Sequence, residues 1–119
     1  MSGGADGGIV IGRVGDIADG TGKRFDRSVV GRDPIAVFND GGAFYAIDDT
    51  CPHEVTSLAD GWVEDGTVEC PLHAAKFCLK DGAVLALPAT RGVATHRVEV
   101  VGDELVLHPG DAADLGSCR

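Results

Sequence analysis

The stretch that decides the fold is Trp62-Val63-Glu64-Asp65-Gly66-Thr67-Val68-Glu69-Cys70-Pro71-Leu72-His73. Two short runs, Trp62-Val63-Glu64 and Thr67-Val68-Glu69, flank Asp65-Gly66. Asp-Gly suits a two-residue turn whose central residues need positive φ, so the segment reads as a β-hairpin. The chain then runs into Cys70-Pro71-Leu72-His73, which breaks the strand. Proline has no amide hydrogen to give to a ladder and fixes its own φ, so the chain bends there. One end of a hairpin thus releases a thiol and an imidazole three residues apart.

Further turn signals lie on both sides at short, regular intervals: Asp40-Gly41-Gly42, Asp81-Gly82 and Gly102-Asp103. Apolar and β-branched runs flank each, at 35–38 and 43–47, 76–79 and 83–85, and 95–101 and 104–108. The last pair alternates, so Val98, Val100, Leu105 and Leu107 can share one face. Earlier strands are expected over 9–14 and 23–30. No stretch keeps a helical period. The fold class expected is therefore all-β, mostly antiparallel, as a sandwich or small barrel. The 119 residues fit one domain over 9–109, with 1–8 and 110–119 as flexible tails. Hydrophobic residues make up 44 % of the chain, enough for a modest core that a bound metal would reinforce.

Residues 1–8 are Gly-rich and polar and do not read as a secretory leader, and no apolar run is long enough to span a bilayer. A cytoplasmic location is expected, where cysteines serve metals or redox chemistry more often than disulfides. The formal charge of −9 argues against nucleic acid or an anionic membrane as partner. No Lys or Arg lies between Arg32 and Lys76, while Asp33, Asp40, Asp48, Asp49, Glu54, Asp60, Glu64, Asp65 and Glu69 do. Such a run is commonly just a solvated face. Here it encloses the residues with ligand chemistry.

Those residues are Cys51-Pro52-His53 and, after a gap of sixteen residues, Cys70-Pro71-Leu72-His73. Thiolates and imidazoles suit zinc or an iron–sulfur centre. A zinc ion would take all four around one atom. A two-iron cluster would take both thiolates on one iron and both imidazoles on the other, so each loop must give one residue to each. The interleaving of Cys and His favours the cluster, with zinc or no metal as the competing readings.

The chain resembles the Rieske-type ferredoxins of bacterial multicomponent aromatic-ring dioxygenases, the group with the biphenyl and carbazole dioxygenase ferredoxins. The resemblance rests on Cys51-Pro52-His53-Glu54, Cys70-Pro71-Leu72-His73-Ala74-Ala75-Lys76-Phe77 and Pro88-Ala89-Thr90, and on turn spacing from Ile9 to His108. It implies three antiparallel sheets with two cluster-binding loops at one tip. It implies one [2Fe–2S] cluster, with Cys51 and Cys70 on the inner iron, His53 and His73 on the outer iron, and Pro88 in a covering loop. The implied role is a monomeric carrier, not an enzyme. Electrons come from an NAD(P)H-dependent flavoprotein reductase and go to a terminal oxygenase.

Respiratory Rieske proteins, which share the motif, add a disulfide between the ligand loops and a serine near the cluster. The corresponding positions here hold Thr56, Leu72 and Ala75. A potential near the low end of the Rieske range, about −150 mV, is expected. Cys78 reads as a packing residue and Cys118 as an idle thiol. His96 and His108 read as structural, and Trp62, Phe44, Tyr45 and Phe77 as packing residues. Docking is expected through Glu54, Asp48 and Asp49. The alternatives are a Rieske-type small subunit of another redox enzyme, such as assimilatory nitrite reductase, and a zinc-stabilised binding module.

Overall fold

The computed structural model describes residues 8–50, 57–70, 76–86 and 92–111. Its strands are β1 (Ile9–Arg13), β2 (Thr21–Phe25), β3 (Ile35–Asp40), β4 (Ala43–Asp48), β5 (Trp62–Glu64), β6 (Thr67–Glu69), β7 (Lys76–Cys78), β8 (Val84–Ala86), β9 (Thr95–Val101) and β10 (Glu104–His108). One helical turn, α1 (Arg27–Val30), and two 3-10 turns, Val14–Asp16 and Leu58–Asp60, connect them. The decisive hairpin forms as its sequence dictates. Asp65 takes φ +52° and Gly66 φ +78°, and Glu64 pairs with Thr67 across them.

Two sheets result, every pairing antiparallel. The larger runs β1-β10-β9-β4-β3-β2 and the smaller β5-β6-β7-β8. The larger is two three-stranded units joined at β4 and β9 by the pairs Ala46–His96 and Ile47–Thr95. The three implied sheets are thus present, with two of them fused. Strand β2 forms one outer edge and carries Lys23 and Arg24, charges that discourage edge-to-edge pairing with another chain.

Strand β3 explains how the sheets stay together. Ile35, Ala36, Val37 and Phe38 are all fully buried. Successive side chains of a strand point to opposite faces. Ala36 and Phe38 join a core with Ile47, Leu58, Val68, Cys70, Phe77 and Leu79, which binds the small sheet to the large one. Ile35 and Val37 join a second core with Phe25, Val30, Ala46, Leu105 and Leu107.

Several sequence expectations are corrected. The strand expected over 23–30 ends at Phe25, and Arg27–Val30 closes a helical turn through the Gly31 amide donating to the Arg27 carbonyl at 2.8 Å. Val14 leaves β1 for a 3-10 turn, its amide donating to Asp103 O. The C-terminal tail does not begin at 110. Gly110 N–H donates to His96 Nδ1 at 2.8 Å, and Asp111 accepts from Arg97 N–H and Nε at 2.7 and 2.9 Å. Residues 1–7 and 112–119 lie outside the described residues. Val100 is exposed at the far end of β9, while Leu105 and Leu107 are buried. Phe77 packs as expected, and Phe44 and Tyr45 pack half-buried against the two cores. Trp62 does not pack: it is 62 % exposed.

Candidate metal centre

The register of the small sheet gathers the ligand-bearing segments. Glu69 pairs with Trp62 on one side and Lys76 on the other, and Lys76 pairs with Ala86. Gly61, Cys70 and Lys76 therefore share one end of the sheet. The segment 71–75 leaves and returns at that end, and 87–91 leaves there after β8. A bulge between Lys76 and Phe77 breaks the ladder at the same place, a common device beside functional sites. The Leu58–Asp60 turn brings the close of segment 51–56 to the same end, because Leu58 shares a core with Cys70 and Phe77.

Cys70 is the predicted ligand that the described residues include. It is fully buried and carries a free thiol. Cys51, His53, His73 and Pro88 lie outside the described residues, as do Glu54, Thr56, Leu72 and Ala75. Among the described residues, no three Cys, His, Asp or Glu side chains form a competing metal site.

The sequence reading missed how segment 51–56 is anchored. Asp49 was expected on an acidic docking face, yet it is 1 % exposed. Its Oδ1 accepts from Ser57 Oγ at 2.7 Å and from Ala59 N–H at 3.1 Å. Its carbonyl accepts from Leu58 N–H at 2.7 Å, and its amide donates to Pro34 O at 3.0 Å. Thr50 and Ser57 form a β-bridge across the loop base. Arg24 Nε lies 3.8 Å from Asp49 Oδ2. A buried carboxylate persists only when its oxygens are satisfied in this way. Asp48 is also engaged, with Oδ1 2.8 Å from His96 Nε2. Because His96 Nδ1 accepts from Gly110, the neutral ring carries its proton on Nε2 and donates to Asp48. His96 and His108 are thus structural, His108 pairing with Glu99 at 3.1 Å.

Gly61 sets the spacing between the two ligand-bearing segments. A Cβ there would overlap the Glu69 carbonyl and press on Leu58 O and Val68. Only a bare backbone lets the chain before Cys70 approach the Leu58–Asp60 turn so closely. At this end Asp60 and Trp62 are exposed, and Glu64 and Asp65 are exposed at the opposite, turn end of the same hairpin. The solvated acids are therefore these, rather than Asp48 and Asp49. Cys78 is fully buried and, beyond packing, is disulfide-bonded.

The chemistry of the donor set fits an iron–sulfur cluster: Cys70 offers a free thiol screened from water, and the sequence adds a second Cys and two His. Comparison with known proteins agrees. Residues 8–97 match the Rieske [2Fe-2S] domain. The 3-phenylpropionate/cinnamic acid dioxygenase ferredoxin subunit of Escherichia coli K12 is 50 % identical over 95 residues, covering 79 % of this chain and 86 % of that protein. The ferredoxin of carbazole 1,9a-dioxygenase from Nocardioides aromaticivorans IC177 superposes with a TM-score of 0.78 at 32 % identity, covering 86 % of this chain and 97 % of that one. A complex of reduced oxygenase and oxidized ferredoxin in carbazole 1,9a-dioxygenase matches with a TM-score of 0.79 at 32 % identity, covering 89 % of this chain and 95 % of that one. Structures described as nitrite reductase small subunits match at 20 % and 21 % identity, a likeness of fold alone. The chain belongs to the Rieske [2Fe–2S] family and carries one [2Fe–2S] cluster.

Proposed function

We propose that Cys51 and Cys70 hold one iron and His53 and His73 the other. The protein then passes single electrons from an NAD(P)H-dependent flavoprotein reductase to the terminal oxygenase of an aromatic-ring dioxygenase system. The observation that carries the site is the buried free thiol of Cys70 at the end of the small sheet that Lys76 shares, with Leu58 of the Leu58–Asp60 turn in the same core. The role is supported by the likeness to ferredoxin subunits at 50 % identity and to a ferredoxin in complex with its oxygenase. The bound cluster supplies reversible one-electron chemistry. The protein's part is to hold it, exclude water from the thiolate side and offer a surface to each partner. Asp60 and Trp62, exposed at the Cys70 end of the small sheet, form part of that surface.

The protein acts as a monomer in the cytoplasm. No helix among the described residues is long and apolar enough to cross a membrane. The purified protein should contain two irons with acid-labile sulfide and give an EPR signal on reduction. Zinc without such a signal would overturn the reading. The potential should lie near the low end of the Rieske range, about −150 mV, because Thr56 and Leu72 cannot form a loop disulfide and Ala75 offers no hydroxyl donor. A clearly positive potential would refute that. Product formation with a cognate reductase and oxygenase should require this chain.

A further inference from the structure

The strands beside the site bring the two ends of segment 51–56 together, and one side chain makes most of the joint. Asp49 lies two residues before Cys51, and Ser57 follows the segment directly. Through one carboxylate oxygen Asp49 binds both Ser57 Oγ and Ala59 N–H, and through its carbonyl it binds Leu58 N–H. Its own amide is fixed on Pro34, next to the fully buried strand β3. The base of the loop is therefore closed by a side chain almost without contact with water, and its backbone amide ties it to the start of β3.

We propose that Asp49 is a positioning residue for the iron–sulfur site, closing the base of the first ligand loop so that Cys51 and His53 are presented to the irons together. The proposal rests on the reading that Cys51 and His53 are ligands. The chemistry needs an acceptor at Oδ1 more than it needs a charge. The nearest cation, Arg24, stands 3.8 Å away from the other oxygen, is half-exposed and is already bonded to Asp26 at 2.9 Å. Asparagine in the same rotamer would keep the Oδ1 acceptor, whereas alanine would leave Ser57 Oγ and Ala59 N–H buried without a partner. A cluster ligated through a loosened loop is both lost faster and altered in its electronic surroundings, because partners behind the ligands fix ligand orientation.

The test compares the cluster-loaded wild type with Asp49→Ala, Asp49→Asn and Ser57→Ala. Iron and sulfide per chain, the rate of cluster loss under chelator, EPR g-values on reduction and the midpoint potential are measured on each. Asp49→Ala should lose its cluster about tenfold faster, with shifted g-values and a shifted potential in the fraction still loaded. Asp49→Asn should restore most of the lifetime and the wild-type g-values. Ser57→Ala, which removes one of the two donors to Oδ1, should fall between. Wild-type lifetime and spectrum in Asp49→Ala would overturn the proposal, as would a faster loss with g-values and potential unchanged, the mark of a stability effect alone. If Asp49→Ala does not fold, unchanged lifetime and spectrum in Ser57→Ala overturn it instead. Cys51→Ser serves as the control. If that variant keeps an unaltered cluster, the ligand reading has failed; if it loses the cluster while the Asp49 variants behave as wild type, only the role of Asp49 has failed.

Discussion

In the six-stranded sheet the strands run from five to seven residues, whereas each strand of the four-stranded sheet has three. The long strands carry their own register and cover a core of Phe25, Val30, Ile35, Val37, Leu105 and Leu107. The short strands sit near the limit of what pairing alone can hold. They depend on Phe38, Ile47 and Leu58 from the rest of the chain to complete their core. They also depend on joints outside any ladder: Asp49 at the loop base, Gly61 against Glu69, and Asp40 accepting from the Gly66 amide. A sheet so short gains little rigidity from itself and leaves its ends to irregular chain. That suits the part of the molecule proposed to surround the metal centre.

The sharpest way to break this contrast is to remove the cluster. A structural metal centre contributes directly to the folding of the segments that ligate it. Cys70→Ser should abolish the EPR signal of the reduced protein and collapse hydrogen-exchange protection at Val68 and Phe77. Amides of β3 and β10 should keep theirs, since local units can open without global unfolding. Uniform loss of protection over both sheets would show that they form one cooperative unit.

A pair of core changes sharpens the contrast at smaller cost. Leu107 is fully buried in the core that the small sheet does not share. Leu107→Ala should lower stability by about 2–5 kcal/mol in urea titration while leaving EPR g-values unchanged. Gly61→Ala should cost less, about 1–3 kcal/mol, because the neighbours must shift around one methyl group. It should nonetheless disturb the spectrum, since the atoms it displaces are the Glu69 carbonyl next to Cys70 and the Leu58 carbonyl of the opposing turn. If both variants left the spectrum alone, Gly61 would be a packing residue and not a spacer between ligand segments.

What could be read from the residues alone follows from how local each signal is. The Asp65-Gly66 hairpin was legible because turn geometry is decided by the turn residues themselves, and the structure gives both the positive φ that the pair favours. The buried run of β3 was legible as a strand, but not as the wall between two cores, because alternating residues there are all apolar. Residues 27–30 misled: Val29-Val30 favours a strand by propensity, yet α1 forms with Val30 buried in the second core, tertiary packing outweighing a weak local preference. Asp49 misled most. Nothing near it in sequence marks it as buried, since its partners Ser57, Ala59 and Arg24 are brought to it by the fold. Trp62 misled in the other direction, because an aromatic in a three-residue strand can face either way. The expected ligand pattern rests on its spacing, which is chemical before it is structural, and of its four residues the described chain holds Cys70.

The smallest effect expected belongs to the surface, and it separates the two sheets by function. Asp60, Glu64 and Asp65 are exposed beside Trp62 on the small-sheet side, while Asp48 is spent on His96 and Asp49 on the loop. Charge reversal of an exposed acid changes encounter more than the lasting complex, because steering acts before contact and is screened by salt. Glu64→Lys should therefore slow electron delivery to an oxygenase with a basic docking surface by about threefold at low ionic strength. The difference should shrink as salt rises, while the absorption spectrum stays that of the wild type. Asp33→Lys offers the control: Asp33 is also exposed, at 82 %, but sits beside β3, where its partner is Arg27. If the two reversals slowed delivery equally, net charge alone would govern encounter. A loss confined to Glu64 would place recognition at the small sheet, the part of the molecule proposed to hold the cluster.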